Sequence, residues 1–131
     1  MNRISATVTD IEACDGITLI SFMASGQPMR MMALEIDDRL QKGSKVILGV
    51  KASHIALAKN PPGEMSISNR LRAEIVSIEN GRLLSSVKFH LGGESIESII
   101  TLESSRRMNL RQGDEIIALI KSSELSILES C

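Results

Sequence analysis

The 131-residue chain is 43% hydrophobic and 24% charged, carries a formal net charge of −1, and has only two aromatic residues, both Phe. Such a balance offers no basic surface for nucleic acid or an anionic membrane, and so few aromatics cannot build the stacking platforms that single strands require. No apolar run reaches membrane-spanning length and no basic-then-apolar leader opens the chain, so a soluble, cytoplasmic protein is expected.

In chain order the elements come twice. Residues 2–12 read "NRISATVTDIE" and residues 69–79 read "NRLRAEIVSIE". An offset of 67 pairs Asn2 with Asn69, Ala6 with Ala73, Ile11 with Ile78, Phe22 with Phe89 and Gly26 with Gly93. Further on, an offset of 70 pairs Gly43 with Gly113, Val50 with Ile120, Lys51 with Lys121 and Ser53 with Ser123. The second copy therefore holds three extra residues, around "ESSRRMNLRQGD", and ordered matches over the whole length indicate a duplication. "KNPPGEM" separates the copies; two prolines and a glycine exclude helix and central strand. The expected division is a first domain over 1–58, a linker over 59–65 and a second domain over 66–131.

Inside each copy the apolar period is close to two. "LRAEIVSI" and "LLSSVKFHL" alternate, "GG" at 92–93 suits a hairpin turn, and "SIESIIT", "DEIIALIK" and "SELSIL" add three short strands. "TLESSRRMNLRQG" interrupts them with Thr101 as a helix N-cap, Glu103 in the first turn and Gly113 past the end. "LEIDDRLQKG" at 34–43 is its counterpart. Each copy thus reads as five strands with one short helix before the fourth, an all-β fold of small antiparallel barrels or sandwiches.

The segments "SISNRLRAEIVSI", "IITLES", "LRQGDEIIALIK" and "SSELSIL" resemble the molybdenum-pterin-binding (Mop) domain, also called the TOBE domain. Residues 66–128 follow the pattern along nearly their full length. Residues 2–58 follow it weakly, through "NRI" and "KGSKVILGVKAS", and two copies resemble a tandem di-Mop chain. The resemblance implies two OB-like five-stranded β-barrels, molybdate or tungstate bound at subunit interfaces, and a homo-oligomer with a trimer favoured. It also implies a ligand shell of Ser66, Ser68, Asn69, Thr101, Ser104, Lys121 and Ser122, with the Ser66 segment and the remainder supplied by different protomers.

The chemistry of those residues fits such a ligand. Molybdate at neutral pH is a tetrahedral dianion without a proton, so a good shell offers only donors: hydroxyls, N–H groups and a cation. Phosphate keeps a proton and would gain from an acceptor. Taken singly, the same residues have local readings: Thr101 and Ser104 as a helix cap, Lys121 as a surface lysine, Ser66 and Ser68 as linker serines, Lys51 as a salt-bridge partner.

Two departures stand out. Ser68 occupies the place of the family's Arg, which removes a fixed guanidinium fork, and Arg70 on the same strand face is the candidate replacement. The first copy lacks the serines before Asn2, has Ala33 or Leu34 in place of Thr101, and carries Asp37 and Asp38, which repel an anion. Lys51 and Ala52 are therefore weaker candidates, and the first copy reads as a degenerate partner that helps assembly.

Met29, Met31 and Met32 read as packing, and His54 and His90 lack metal-ligand spacing. Cys14 and Cys131 form no disulfide framework, and Cys14 has no activating neighbour. No phosphate loop or nucleophile elbow is present, so no enzyme is expected. The expected function is storage or homeostasis of the oxyanion. The alternative is an anion-sensing regulatory module acting on a transporter ATPase or a transcription factor.

Overall fold

The computed structural model describes residues 1–60 and 63–130. Pro61 and Pro62 of the expected linker, and Cys131, lie outside the described residues. Ten strands are described: β1 (Asn2–Cys14), β2 (Ile17–Ala24), β3 (Gln27–Ala33), β4 (Lys45–Val50), β5 (Ala56–Ala58), β6 (Asn69–Asn80), β7 (Leu84–Leu91), β8 (Glu94–Thr101), β9 (Glu115–Ile120) and β10 (Ser126–Ser130). One helix, α1 (Leu102–Arg107), follows β8, and single 3₁₀ turns span Ala52–His54 and Ser122–Glu124.

The strands form two five-stranded antiparallel sheets of OB-like architecture, ordered β10-β4-β1-β2-β3 and β5-β9-β6-β7-β8. The copies exchange their last strands. β5, from the first copy, pairs with β9, while β10, from the second, pairs with β4. Neither sheet is complete without the other half of the chain.

Alternation in the sequence becomes burial. On β1, Ile4, Ala6 and Val8 are buried; on β6, Leu71 and Ile75 are buried at matching places. Phe22 and Phe89, one per copy, are the largest fully buried side chains. Each long strand serves two partners by bulging once. β1 leaves β4 for β2 at a bulge between Val8 and Asp10, and β6 leaves β9 for β7 between Ile75 and Ser77. A bulge bends a strand and sharpens its twist, which is how one strand turns the corner of a small barrel.

One expectation is corrected. Residues 34–43 form turns, not the helical counterpart of α1. In the second copy Thr101 accepts a hydrogen bond from the Ser104 N–H (3.1 Å), so the first turn of α1 is capped. In the first copy Leu34 stands there with no acceptor. Three residues fewer are available, and Asp37 folds the segment locally. Its carboxylate accepts from the Arg39 N–H (2.9 Å) and its carbonyl from the Leu40 N–H (3.0 Å). Both loops still bury a matched leucine, Leu40 and Leu110.

The copies pack around a pseudo-dyad marked by residues that touch their own counterparts. Ser25 meets Gly92, offset by 67, where the two hairpin turns abut. His54 Nδ1 meets Glu124 Oε2 at 2.7 Å, offset by 70. Flanking the dyad are matched clasps. The Asn2 amide donates to the Glu97 carbonyl (2.7 Å) and accepts from its N–H (2.9 Å). The Asn69 amide treats Arg30 in the same way, at 2.9 and 2.6 Å. Glu94 accepts from the Ser5 N–H (2.8 Å), while Gln27 holds the N–H and C=O of Arg72 (2.9 and 3.1 Å). Among the described residues no helix is long and apolar enough to cross a membrane.

Candidate functional site

The β6–β9 register ends at Asn69 opposite Ile120, so the next residues, Ser68 and Lys121, sit side by side in one chain. Lys121 is extended (φ −64°, ψ 144°) and leads into the 3₁₀ turn that begins at Ser122. That turn packs against β3 of the first copy, the strand whose Arg30 the Asn69 amide holds. Ser66, Ser68 and Lys121 are exposed and Ser122 is half-buried. Their side chains make no hydrogen bond or ion pair among the described residues. Glu124, two residues from Ser122, is turned toward His54.

Asn69 has a different place from its neighbours. It is fully buried, with both ends of its amide on the Arg30 backbone, so it joins the two copies at the base of this cluster. Arg70 points out of the opposite side of β6 from Asn69 and lines a groove of about 410 Å³ with Arg72, Gln27 and Met65.

Thr101 and Ser104 lie elsewhere in the chain. Thr101 pairs with Leu84 at the far end of the β7–β8 hairpin. Its hydroxyl donates to Ser104 Oγ (2.9 Å) and accepts from the Ser104 N–H, so the two residues cap α1. Thr101 lines a groove with Arg82 and Arg106 that includes neither Ser68 nor Lys121.

The pseudo-dyad makes the equivalent place in the first copy a built-in comparison. There Asn2 is opposite Val50, so Met1 adjoins Lys51, and Ala52 stands where Ser122 does. Asn2 holds Glu97, the counterpart of Arg30. At one end of the molecule Ser68, Lys121 and the Ser122 turn therefore adjoin β3, the strand of Arg30; at the other Met1, Lys51 and the Ala52 turn adjoin β8, the strand of Glu97. Arg30 was missed by sequence reasoning because its neighbours come from the other copy. The offset of 67 that pairs it with Glu97 was its only trace.

Such a donor set holds an anion rather than a cation, and among the described residues no group of three His, Cys, Asp or Glu is arranged to ligate a metal. The carboxyls held below their usual range lie away from it. Asp37 is held down by hydrogen bonds from Arg39, and Asp114 by those from Lys59 and from the Arg111 N–H.

The TOBE domain model matches residues 65–127. Molybdenum-pterin-binding protein 3 of Clostridium pasteurianum is 36% identical over 67 residues, which cover 49% of this chain and 98% of that protein. MopB of Rhodobacter capsulatus is 37% identical over 89 residues, 66% of this chain but only 33% of MopB, so the chain spans about a third of that relative's length. The crystal structure of ModG, a cytoplasmic molybdate-binding protein, with molybdate bound superposes with a TM-score of 0.90 at 24% identity, covering 96% of this chain and 94% of ModG, and shares its fold. The chain belongs to the molybdenum-pterin-binding family, with a TOBE domain in its second half.

Proposed function

We propose that the protein binds molybdate or tungstate in the cytoplasm as a homo-oligomer, a trimer by family resemblance, and serves to store or buffer the oxyanion. It performs no catalysis. The observation that carries this reading is the junction of Ser68, Lys121 and Ser122 with the Arg30 strand, a set of donors and cations from which Glu124 is turned away toward His54. A tetrahedral dianion with no proton fills such a shell without leaving an unmatched donor–donor contact; a protonated phosphate does not. Arg30 supplies the guanidinium that Ser68 does not. Family membership, and the names of relatives that bind molybdenum-pterin, support the same ligand class.

Calorimetric titration with molybdate, tungstate, sulfate and phosphate tests it. Molybdate and tungstate are expected to bind tightest, with sulfate the nearest competitor. Arg30→Ala should weaken molybdate about tenfold or more, as loss of one charge-assisted contact. Phosphate binding as tightly as molybdate would overturn the all-donor reading.

A further inference from the structure

Duplication has let matched positions drift in chemical character, and on the dyad the chain uses that drift itself, His54 Nδ1 meeting Glu124. A second matched pair of segments shows the same drift but faces outward. Between β3 and β4 the turns expose Leu34 (77%) with Glu35 and Asp38, beside Leu128 of β10 and a groove of about 410 Å³. Between β8 and β9 the α1 segment exposes Arg106, and the adjoining β6–β7 turn exposes Arg82 and Leu83 (80%) over a groove of about 610 Å³. Nearby charges are internally paired, Asp37 with Arg39 and Arg107 with Glu103. Glu35, Asp38, Arg82 and Arg106 form no ion pair among the described residues.

We propose that the acidic Leu34 patch of one copy docks on the basic Leu83 patch of a second copy, joining protomers head to tail. The inference rests on the oligomeric reading above and names the surfaces that make the assembly. Each patch couples a large exposed apolar side chain with two uncompensated charges of one sign, and the signs are opposite. Acidic against acidic, or basic against basic, brings like charges together; acidic against basic matches every charge and covers Leu34 and Leu83. A contact between different patches is heterologous, so it propagates from copy to copy and closes into a ring when the rotation allows, three copies for a third of a turn. Unpaired before an encounter, these charges also make the association weaken with salt.

Sedimentation of the full chain at micromolar concentration, across a salt series, tests the contact. Arg106→Glu and Asp38→Arg are each expected to weaken association about tenfold, as loss of an interfacial charge contact does, and the double reversal to recover most of it. Leu34→Asp should shift the mass furthest toward monomer. Melting curves confirm that these surface variants remain folded. A wild-type monomer would overturn both the oligomeric reading and this contact. A wild-type oligomer whose mass survives the single reversals and Leu34→Asp would overturn the contact alone.

Discussion

Replacing Asn69 with Ala should unfold the join between the two copies rather than damage a ligand shell. The Asn69 side chain is fully buried and makes two hydrogen bonds, at 2.6 and 2.9 Å, to the Arg30 N–H and C=O. Each such bond contributes about 0.5–1.5 kcal/mol, and a buried partner left unmatched costs about 1–3 kcal/mol more. Arg30 lies on an edge strand and its side chain is exposed, so water takes up part of that loss. The expected cost is about 2–4 kcal/mol. At an unfolding entropy of about 2.1 cal/mol/K per residue, it lowers Tm by about 7–14 °C for a chain of this length. Circular dichroism melts at fixed protein concentration read it directly, since any assembly makes Tm concentration-dependent. Asn69→Leu restores bulk but not hydrogen bonds and should stay destabilised. If Asn69→Ala melts within about 2 °C of wild type while losing anion affinity, Asn69 is a ligand and the clasp contributes little.

Three further outcomes follow from the same geometry. Gly92→Ala should lower stability by about 1–2 kcal/mol, because Gly92 has φ +60° and a Cβ there would press on the Ser25 hydroxyl across the dyad; an unchanged melt would contradict the abutting turns. His54→Glu sets two carboxylates against each other and should destabilise the chain, whereas adding Glu124→His restores a His–Glu contact and recovers most of the loss; a double variant no better than the single one would refute the pairing. Lys59 bonds Asp114 at 3.0 Å and the Met108 and Asn109 carbonyls at 3.1 Å, and it holds the Asp114 carboxyl below its usual range. That depressed value contributes stability that is present above the ordinary aspartate pKa of about 4 and is lost as pH falls below it, so Lys59→Met should flatten the acid limb of the stability curve below about pH 4 relative to wild type.

The duplication, the strands of the second copy, the hairpin at 92–93 and the capped α1 were readable because each rests on local signals: alternation, paired glycines, and Thr101 three residues before Ser104. What failed or stayed hidden depends on contacts between copies. "ALA" and "SILES" have strand character but carry no mark of which sheet receives them, so the exchange of β5 and β10 is invisible in the sequence. The helix expected over 34–43 was inferred from its counterpart. A missing cap and a shorter segment let Asp37 set turns instead. Asn69 was singled out as a ligand by its motif position, whereas its burial on the Arg30 backbone follows only from the dyad. Ser66, Ser68, Lys121 and Ser122 were legible as donors, but the packing of the Ser122 turn on β3 was not. Arg30, the single charged residue of β3, carried no signal of its own.

The reading stands or falls on anion binding being concentrated at the second-copy end, and molybdate affinity of Lys121→Ala against Lys51→Ala measures it most directly. Lys121 adjoins Ser68 and Ser122 and faces the Arg30 strand, whereas Lys51 adjoins Met1 and Ala52 and shares its end with Glu97. A charge-assisted hydrogen bond contributes about 1.5–3 kcal/mol, so Lys121→Ala should weaken molybdate about tenfold to a hundredfold. Lys51→Ala should bind as wild type does at the same ionic strength, provided both variants keep the wild-type sedimentation. Equal losses from the two variants, or no loss from Lys121→Ala, would contradict it.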